Sequence, residues 1–250
     1  METRTTLAAV LAREPLGDRI AHYKPAWYGQ SDSDEDWELY RWGRYHARDV
    51  DIRFVTRRLT PEMVLENYAR GVFPMANPGV GVITWHCPKP RAVIPLEGFH
   101  VSRSLARTLR LGRFAVSYNR AFAEVIAGCA DRGGGESTWI SDEIREVYTE
   151  LHRRGHAHSV EVWADGELAA GIYGLQLGGA FFAESKFHRV RDMSKVALAQ
   201  LAHRLRDRGF TLLEVQYLTP HLRQFGALEI THREYAERLE AALALERTFS

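Results

Sequence analysis

The chain has 250 residues, of which 45% are hydrophobic and 26% charged, and its formal net charge is +1. That is apolar material for one sizeable core or two modest ones, and it excludes a fibrous or disordered protein. A near-zero total leaves a nucleic-acid partner open, because phosphate binding depends on where cations cluster. Acid is concentrated at Asp32, Asp34, Glu35, Asp36 and Glu38, whereas basic runs occur at Arg103, Arg107, Arg110 and Arg113 and at Lys186, His188, Arg189, Arg191 and Lys195. No apolar run approaches the roughly 20 residues that cross a bilayer, and Met1 to Ala12 lacks the basic region and cleavage site of a signal peptide, so a cytoplasmic protein is expected. Cys87 and Cys129 stand far apart without metal-site spacing, so they are expected to be buried spectators, and no metal is expected.

Residues 1–58 have weak periodicity and are expected to form an extension of unclear structure. A helix is predicted from Thr60, where Thr-Pro-Glu supplies an N-cap, a proline at the first helical position and an acid in the first turn, with Gly71 closing it. Val80 to Trp85 reads as a strand, Ser102 to Leu111 as a helix stopped by Gly112, and Phe114 to Tyr118 as a strand. Helical spacing recurs at Phe122, Val125, Ile126, Cys129 and again at Ile144, Val147, Tyr148, Leu151, with a Gly-rich connection from Asp131 to Ser137. From His158 the period becomes two, and turns at Asp165-Gly166 and Gly178-Gly179 predict a three-stranded antiparallel meander. A helix over Ser194 to Arg208, a strand over Leu212 to Gln216 and a helix capped by Thr231-x-x-Glu234 follow. The class is α+β, with a mostly antiparallel sheet in the C-terminal half.

The order hairpin, strand, helix, strand matches the topology of acetyl-CoA-dependent N-acetyltransferases, whose Gly-rich turn before the helix cradles pyrophosphate. Here the segment between Glu184 and Ser194 contains no glycine, which argues against an acyl-CoA donor. It supplies side-chain cations instead: Lys186, Arg189, Arg191 and Lys195 suit a polyanion such as a tRNA acceptor end, or else form a solvated basic loop.

Ordered motifs recur from Thr60 to Ala242. They are Tyr-x-x-Gly-x-Phe-Pro (Tyr68 to Pro74), Trp-x-x-Pro-x-Pro-Arg-Ala (Trp85 to Ala92), His-x-Ser-Arg-Ser (His100 to Ser104), Thr138-Trp139-Ile140 and the run from Gly155 to Trp163. Gly-x-Tyr-Gly (Gly171 to Gly174), Glu-Ser-x-Phe (Glu184 to Phe187), Ser194-Lys195, Gln216 and Gly226-Ala227 complete the set. With these blocks the chain resembles the leucyl/phenylalanyl-tRNA–protein transferases. The resemblance implies an N-acetyltransferase-like C-terminal domain over 113–250, a smaller α/β N-terminal domain over 59–112, and a monomer that needs no cofactor. It further implies transfer of Leu or Phe, and less readily Met, from aminoacyl-tRNA to proteins beginning with Arg or Lys, marking them for degradation.

Carried over residue by residue, the resemblance assigns Gln216 to orienting the attacking amine. Glu214, two residues earlier on the same strand face, would polarise Gln216 or accept a proton through it. Glu184 would pair with the incoming cationic N-terminus, or alternatively form an ion pair with Arg189. Trp139 would stack on the donor's terminal adenine, or else belong to the core. Ser185 and Phe187 would support that site, and Ile172, Leu201, Leu205 and Leu213 would line an apolar amino-acid pocket, although each is also explicable as core. The chain departs from the family where Glu214 replaces the usual Asp, where Ala183 replaces Gly, and where Asp51 to Leu59 replaces a Gly-rich stretch. Two other readings stay open: a related aminoacyl-tRNA-dependent transferase with another acceptor, and a tRNA-binding protein without catalysis.

Overall fold

The computed structural model describes residues 51–77, 81–131 and 138–250. The acidic segment Asp32 to Glu38, Val80 and nearly all of the expected Gly-rich connection lie outside the described residues. Two sheets carry the architecture. The smaller has the order β1-β3-β2, antiparallel throughout, from β1 (Ile52–Thr56), β2 (Phe73–Asn77) and β3 (Val82–His86). Helix α1 (Pro61–Tyr68) precedes β2, and the Thr60 hydroxyl accepts from the Met63 amide as the cap signature requires. Gly71 follows with φ +71°. A Cβ there would lie 2.7 Å from the Tyr235 ring, so both the left-handed turn and the close approach require glycine.

The larger sheet has the order β10-β4-β9-β8-β7-β6-β5. Its centre is the expected meander, β6 (Ala157–Ala164), β7 (Glu167–Leu177) and β8 (Ala180–His188), extended at one edge by β5 (Ala115–Tyr118). Asp165 and Gly166 both have positive φ, 52° and 84°, which is the two-residue turn that suits a twisted hairpin. After β8 the chain crosses through α5 (Met193–Asp207) to β9 (Leu212–Glu214), which pairs with β8 in parallel. The short strands β4 (Arg91–Val93) and β10 (Leu228–Ile230) complete the other edge. The remaining helices are α2 (Arg103–Leu111), α3 (Phe122–Ala130), α4 (Asp142–Arg153), α6 (Pro220–Arg223) and α7 (His232–Leu243). Among the described residues no helix is long and apolar enough to cross a membrane.

Each face of the large sheet has its own apolar cluster. On one, Phe122, Val125, Ile144, Tyr148, Leu175 and Phe182 join residues of the small sheet and α1, such as Val64 and Trp85. On the other, α5 contributes Val196, Leu201 and Leu205 against Val160, Ile172, Phe181 and Leu213, with Phe249 of the C-terminal tail inserted beside Phe181. Full burial of each such side chain contributes roughly 1.5–3 kcal/mol, which makes α5 an integral layer rather than an appendage. The units divide differently from the sequence expectation. β1 belongs to the small sheet although residues 1–58 read as an extension, and β4 joins the large sheet from within the segment 59–112. Both strands are too short, and too weakly alternating, for local pattern to assign them to a sheet.

Candidate active site

β8 and β9 pair only from Ala180 to Phe182 against Leu212 to Glu214. Beyond that point β9 turns to β4: the Val215 amide donates to Ala92 O, and the Ala92 amide donates to Gln216 O. β8 meanwhile stays with β7, but its register shifts, so that Tyr173 opposes Ser185 while Gly174 opposes Ala183. Glu184 is the extra residue of a β-bulge, a device that re-aims a side chain. The two parallel strands therefore part at their carboxyl ends, and Glu184 and Gln216 face each other across the opening. The Gln216 side-chain amide donates to Glu184 Oε1 at 3.4 Å.

Glu184 projects toward α1 and α4. The Tyr68 hydroxyl donates to its Oε1 at 2.7 Å and lies 2.7 Å from the Tyr148 hydroxyl. Burial pushes the Glu184 carboxyl up to about 8; the hydrogen bonds from Tyr68 and Tyr148 oppose the shift, and the nearby Glu214 carboxylate adds to it. The ion pair with Arg189 does not form, since Arg189 donates to Leu168 O and sits over the Phe187 ring.

Glu214 and Gln216 do not share a strand face. The strand ends at Glu214, and Gln216 has φ +56°, which turns its side chain out of the alternation that the sequence implied. Glu214 is fully buried and committed elsewhere: Arg91 Nη1 lies 2.6 Å from its Oε1, and the Tyr235 hydroxyl donates to its Oε2 at 2.7 Å. Arg91 Nη2 donates in turn to Gly71 O, and the guanidinium lies over the Tyr235 ring at 4.3 Å. Burial disfavours the charged form of Arg91, but Glu214 beside it more than restores it, so the guanidinium stays ionised. Glu214 is thus held in a buried clasp that joins the C-terminal end of α1 to the large sheet. Its charge adds to the upward shift at Glu184.

The other expected residues lie around this centre. Trp139 is half-buried against the cluster beneath α4, and its carbonyl accepts from the Ala76 amide of β2 at 3.1 Å. Phe187 occupies space that only glycine leaves: a Cβ at Gly128 or Gly171 would lie 2.8 or 3.0 Å from its ring. Ser185 is half-buried next to Glu184. Ile172, Leu201, Leu205 and Leu213 come together in the cluster beneath α5, all fully buried, on the sheet face opposite Glu184. Lys195 is tied to Asp192 at 2.8 Å, and Arg191 reaches the same carboxylate at 3.8 Å. Lys186 is half-buried, and burial lowers its pKa. Lys186, Lys195 and His188 converge closely enough that, after burial, their charges also lower the pKa of His221.

Sequence reasoning did not select Tyr68, Tyr148 or Arg91 as site residues. Tyr68 and Arg91 sit inside motifs it had quoted, whereas Tyr148 carried only a helical-core signal. The basic run on α2 proves to be one stripe: Arg103, Arg107 and Arg110 are exposed at i, i+4 and i+7, with no ion pair among the described residues.

Comparison with known proteins decides the family. The model of the leucyl/phenylalanyl-tRNA protein transferase domain matches residues 93–240, and that of its N-terminal domain matches 57–89. The chain belongs to this family. It is an aminoacyltransferase, and the junction between the matched regions falls just before Val93, within β4. The leucyl/phenylalanyl-tRNA–protein transferase of Salinibacter ruber is 50% identical over 185 residues, covering 74% of this chain and 80% of that protein. The one from Rubrobacter xylanophilus is 52% identical over 194 residues, covering 77% of this chain and all of that protein. The family member's fold also aligns with a GCN5-related N-acetyltransferase from Kribbella flavida, at TM-score 0.37 and 11% identity, covering 68% of this chain and 61% of that chain.

Proposed function

We propose that the protein transfers Leu or Phe, and less readily Met, from aminoacyl-tRNA to the α-amine of proteins that begin with Arg or Lys, and so marks them for degradation. It works as a monomer in the cytoplasm. The observation that carries this reading is the Glu184–Gln216 pair at the parting of β8 and β9. An α-amino group has a pKa of about 7.7–8.0. The Glu184 carboxyl at about 8 matches it, so a proton passes from an incoming α-ammonium to Glu184 at little cost.

The freed amine attacks the aminoacyl ester carbonyl, and the tetrahedral intermediate expels the terminal ribose hydroxyl. The proton taken by Glu184 is returned to that oxygen, and the second proton that the amine nitrogen loses as the amide forms is released to solvent. The ester is already activated, so orientation supplies most of the acceleration, for which ~7–11 kcal/mol is available from effective molarity. Gln216 orients the amine while its amide rests on Glu184; Glu214, fixed by Arg91 and Tyr235, holds up the Glu184 pKa by its charge. The donor's terminal base stacks at Trp139, with Ser185 and Phe187 behind it; Ile172, Leu201, Leu205 and Leu213, filled core on the opposite sheet face, back the site rather than open to the donor side chain. Lys186, Arg189, Arg191 and Lys195 contact the acceptor end, and the α2 stripe contacts phosphates further along the tRNA.

The test is transfer of radiolabelled Leu, Phe and Met from charged tRNA to peptides starting with Arg, Lys, Asp or Ala. Transfer confined to Arg and Lys peptides is the expected outcome. Transfer to Asp or Ala peptides instead would give the family chemistry another acceptor, and tRNA binding without any transfer would make the protein a binder.

A further inference from the structure

Preference for an N-terminal Arg or Lys requires a negative or π-rich counterpart for the cationic side chain, close to the attacking amine but not already neutralised. Neither carboxyl at the opening meets that requirement. Glu184 is hydrogen-bonded by phenols and largely protonated at neutral pH, and Glu214 has both oxygens occupied by Arg91 and Tyr235. A third carboxylate stands just before β1. Asp51 opens β1, and its backbone carbonyl accepts from the Cys87 amide at 2.7 Å, which fixes it beside the end of β3. It is half-buried and has no ion pair among the described residues.

Around Asp51 stand three rings. The hydroxyl of Tyr217 lies 3.4 Å from His86 Nδ1, and the nearby Asp51 carboxylate, after burial, raises the Tyr217 pKa. Phe73 stacks on His86 at 5.7 Å and meets Tyr217 edge-on at 6.0 Å. Tyr217 directly follows Gln216 in the chain and remains 39% exposed, so its ring is open to a ligand. Among the described residues no cation lies within ion-pair distance of the carboxylate. Burial holds His86 neutral, at about 4 even with Asp51 raising it, and Arg91 is committed to Glu214. A carboxylate next to an exposed aromatic ring is the combination that binds guanidinium and ammonium groups.

We propose that Asp51, together with the Tyr217 ring, forms the subsite for the cationic side chain of the acceptor's first residue, and that this pair sets the preference for Arg and Lys. The proposal rests on the acceptor assignment given above. It makes Asp51 a specificity-determining residue outside the proton-transfer group, and it gives the segment Asp51 to Leu59 a role that its departure from the usual Gly-rich stretch left open.

The experiment compares peptides that begin with Arg and with citrulline, which has the shape of Arg without its charge. Binding to the full chain is titrated calorimetrically, and acceptor KM and kcat are measured in parallel. Wild type is expected to prefer Arg about tenfold or more. Asp51→Asn should narrow that preference to about twofold by weakening the Arg peptide alone, with kcat and the KM for aminoacyl-tRNA unchanged. Tyr217→Leu should weaken Arg binding in the same way, whereas Tyr217→Phe, which keeps the ring, should retain most of it. An unchanged Arg-to-citrulline ratio in Asp51→Asn, or its collapse in Glu184→Gln instead, overturns the proposal. Failure of wild type to transfer to any peptide would overturn the acceptor reading itself, and the titration would still report whether Asp51 holds a cationic N-terminal residue.

Discussion

The Gln216 side-chain amide meets Glu184 Oε1 at 3.4 Å, and the Tyr68 hydroxyl reaches the same oxygen at 2.7 Å. A residue from the end of β9 and one from the small N-terminal unit therefore converge on one carboxyl that sits in a β-bulge. Its proton is held by burial, and its orientation by two neighbours distant in sequence.

The transfer rate should depend on pH through Glu184. With this carboxyl titrating at about 8, kcat should rise with pH and level off above that value. Glu184→Gln should lower kcat by roughly 10²–10⁴-fold and flatten the profile. A wild-type profile with no inflection between pH 7 and 9 would remove Glu184 from the proton path.

Stability should depend on pH through the same group. The folded-state pKa of Glu184 lies above its ordinary value of 4.5, so between 4.5 and about 8 the native protein binds more protons than the unfolded chain. Stability from this group is therefore fully present below 4.5 and is lost as pH rises toward 8. In denaturant titrations at pH 5, 6, 7 and 8, the stability of wild type relative to Glu184→Gln should decline steadily, and a constant difference would contradict the assignment.

Arg91 and Glu214 form a buried pair whose members depend on each other. Arg91→Met leaves the Glu214 carboxylate uncompensated and should cost ~3–5 kcal/mol in guanidinium unfolding. Adding Glu214→Gln should restore a large part of that loss, because the unpaired charge is then gone. Strictly additive costs would mean that the pair is not coupled.

Gln216 separates stability from chemistry. A non-glycine residue at φ +56° carries a backbone cost of about 1–2 kcal/mol. Gln216→Gly should therefore match or exceed wild-type stability while transfer falls and tRNA affinity is kept. Gln216→Ala should lose transfer equally without the gain in stability. If tRNA binding fell with transfer, Gln216 would belong to donor binding instead.

The α2 stripe should act through phosphate. Replacing Arg103, Arg107 and Arg110 by Ala should weaken tRNA binding and make the dependence of log K on log salt shallower by about 1 for each phosphate that is no longer neutralised. Unchanged affinity would leave α2 a solvated face.

Much of the secondary structure was legible because it is fixed by short-range chemistry. The hydroxyl caps at Thr60, Ser102 and Thr231, the left-handed glycine at Gly112 and the Asp165-Gly166 turn are satisfied by residues within one turn of chain, and the elements they bound fall within a residue or two of expectation. The motif blocks likewise carried the family. The error at Glu214 and Gln216 has an equally local cause: alternation presumes that a strand continues, and nothing in Leu-Leu-Glu-Val-Gln announces that pairing moves from β8 to β4.

By itself, then, the sequence determined the α+β class, the meander with its crossover helix, and membership of an aminoacyl-tRNA-dependent transferase family. Only the tertiary structure decided what surrounds the reacting centre. Tyr68 is 116 residues from Glu184 and Arg91 is 123 from Glu214; the first meeting depends on how α1 and the small sheet dock on the large one, the second on the pairing of β4 with β9. Burial and charge at a site are sums over all neighbours in space, and a periodic pattern read along the chain contains only neighbours in sequence. The same carboxyl that looks like an ordinary acid in the string Glu-Ser-Lys-Phe is pushed up to about 8 because burial and the nearby Glu214 carboxylate outweigh the hydrogen bonds of two phenols.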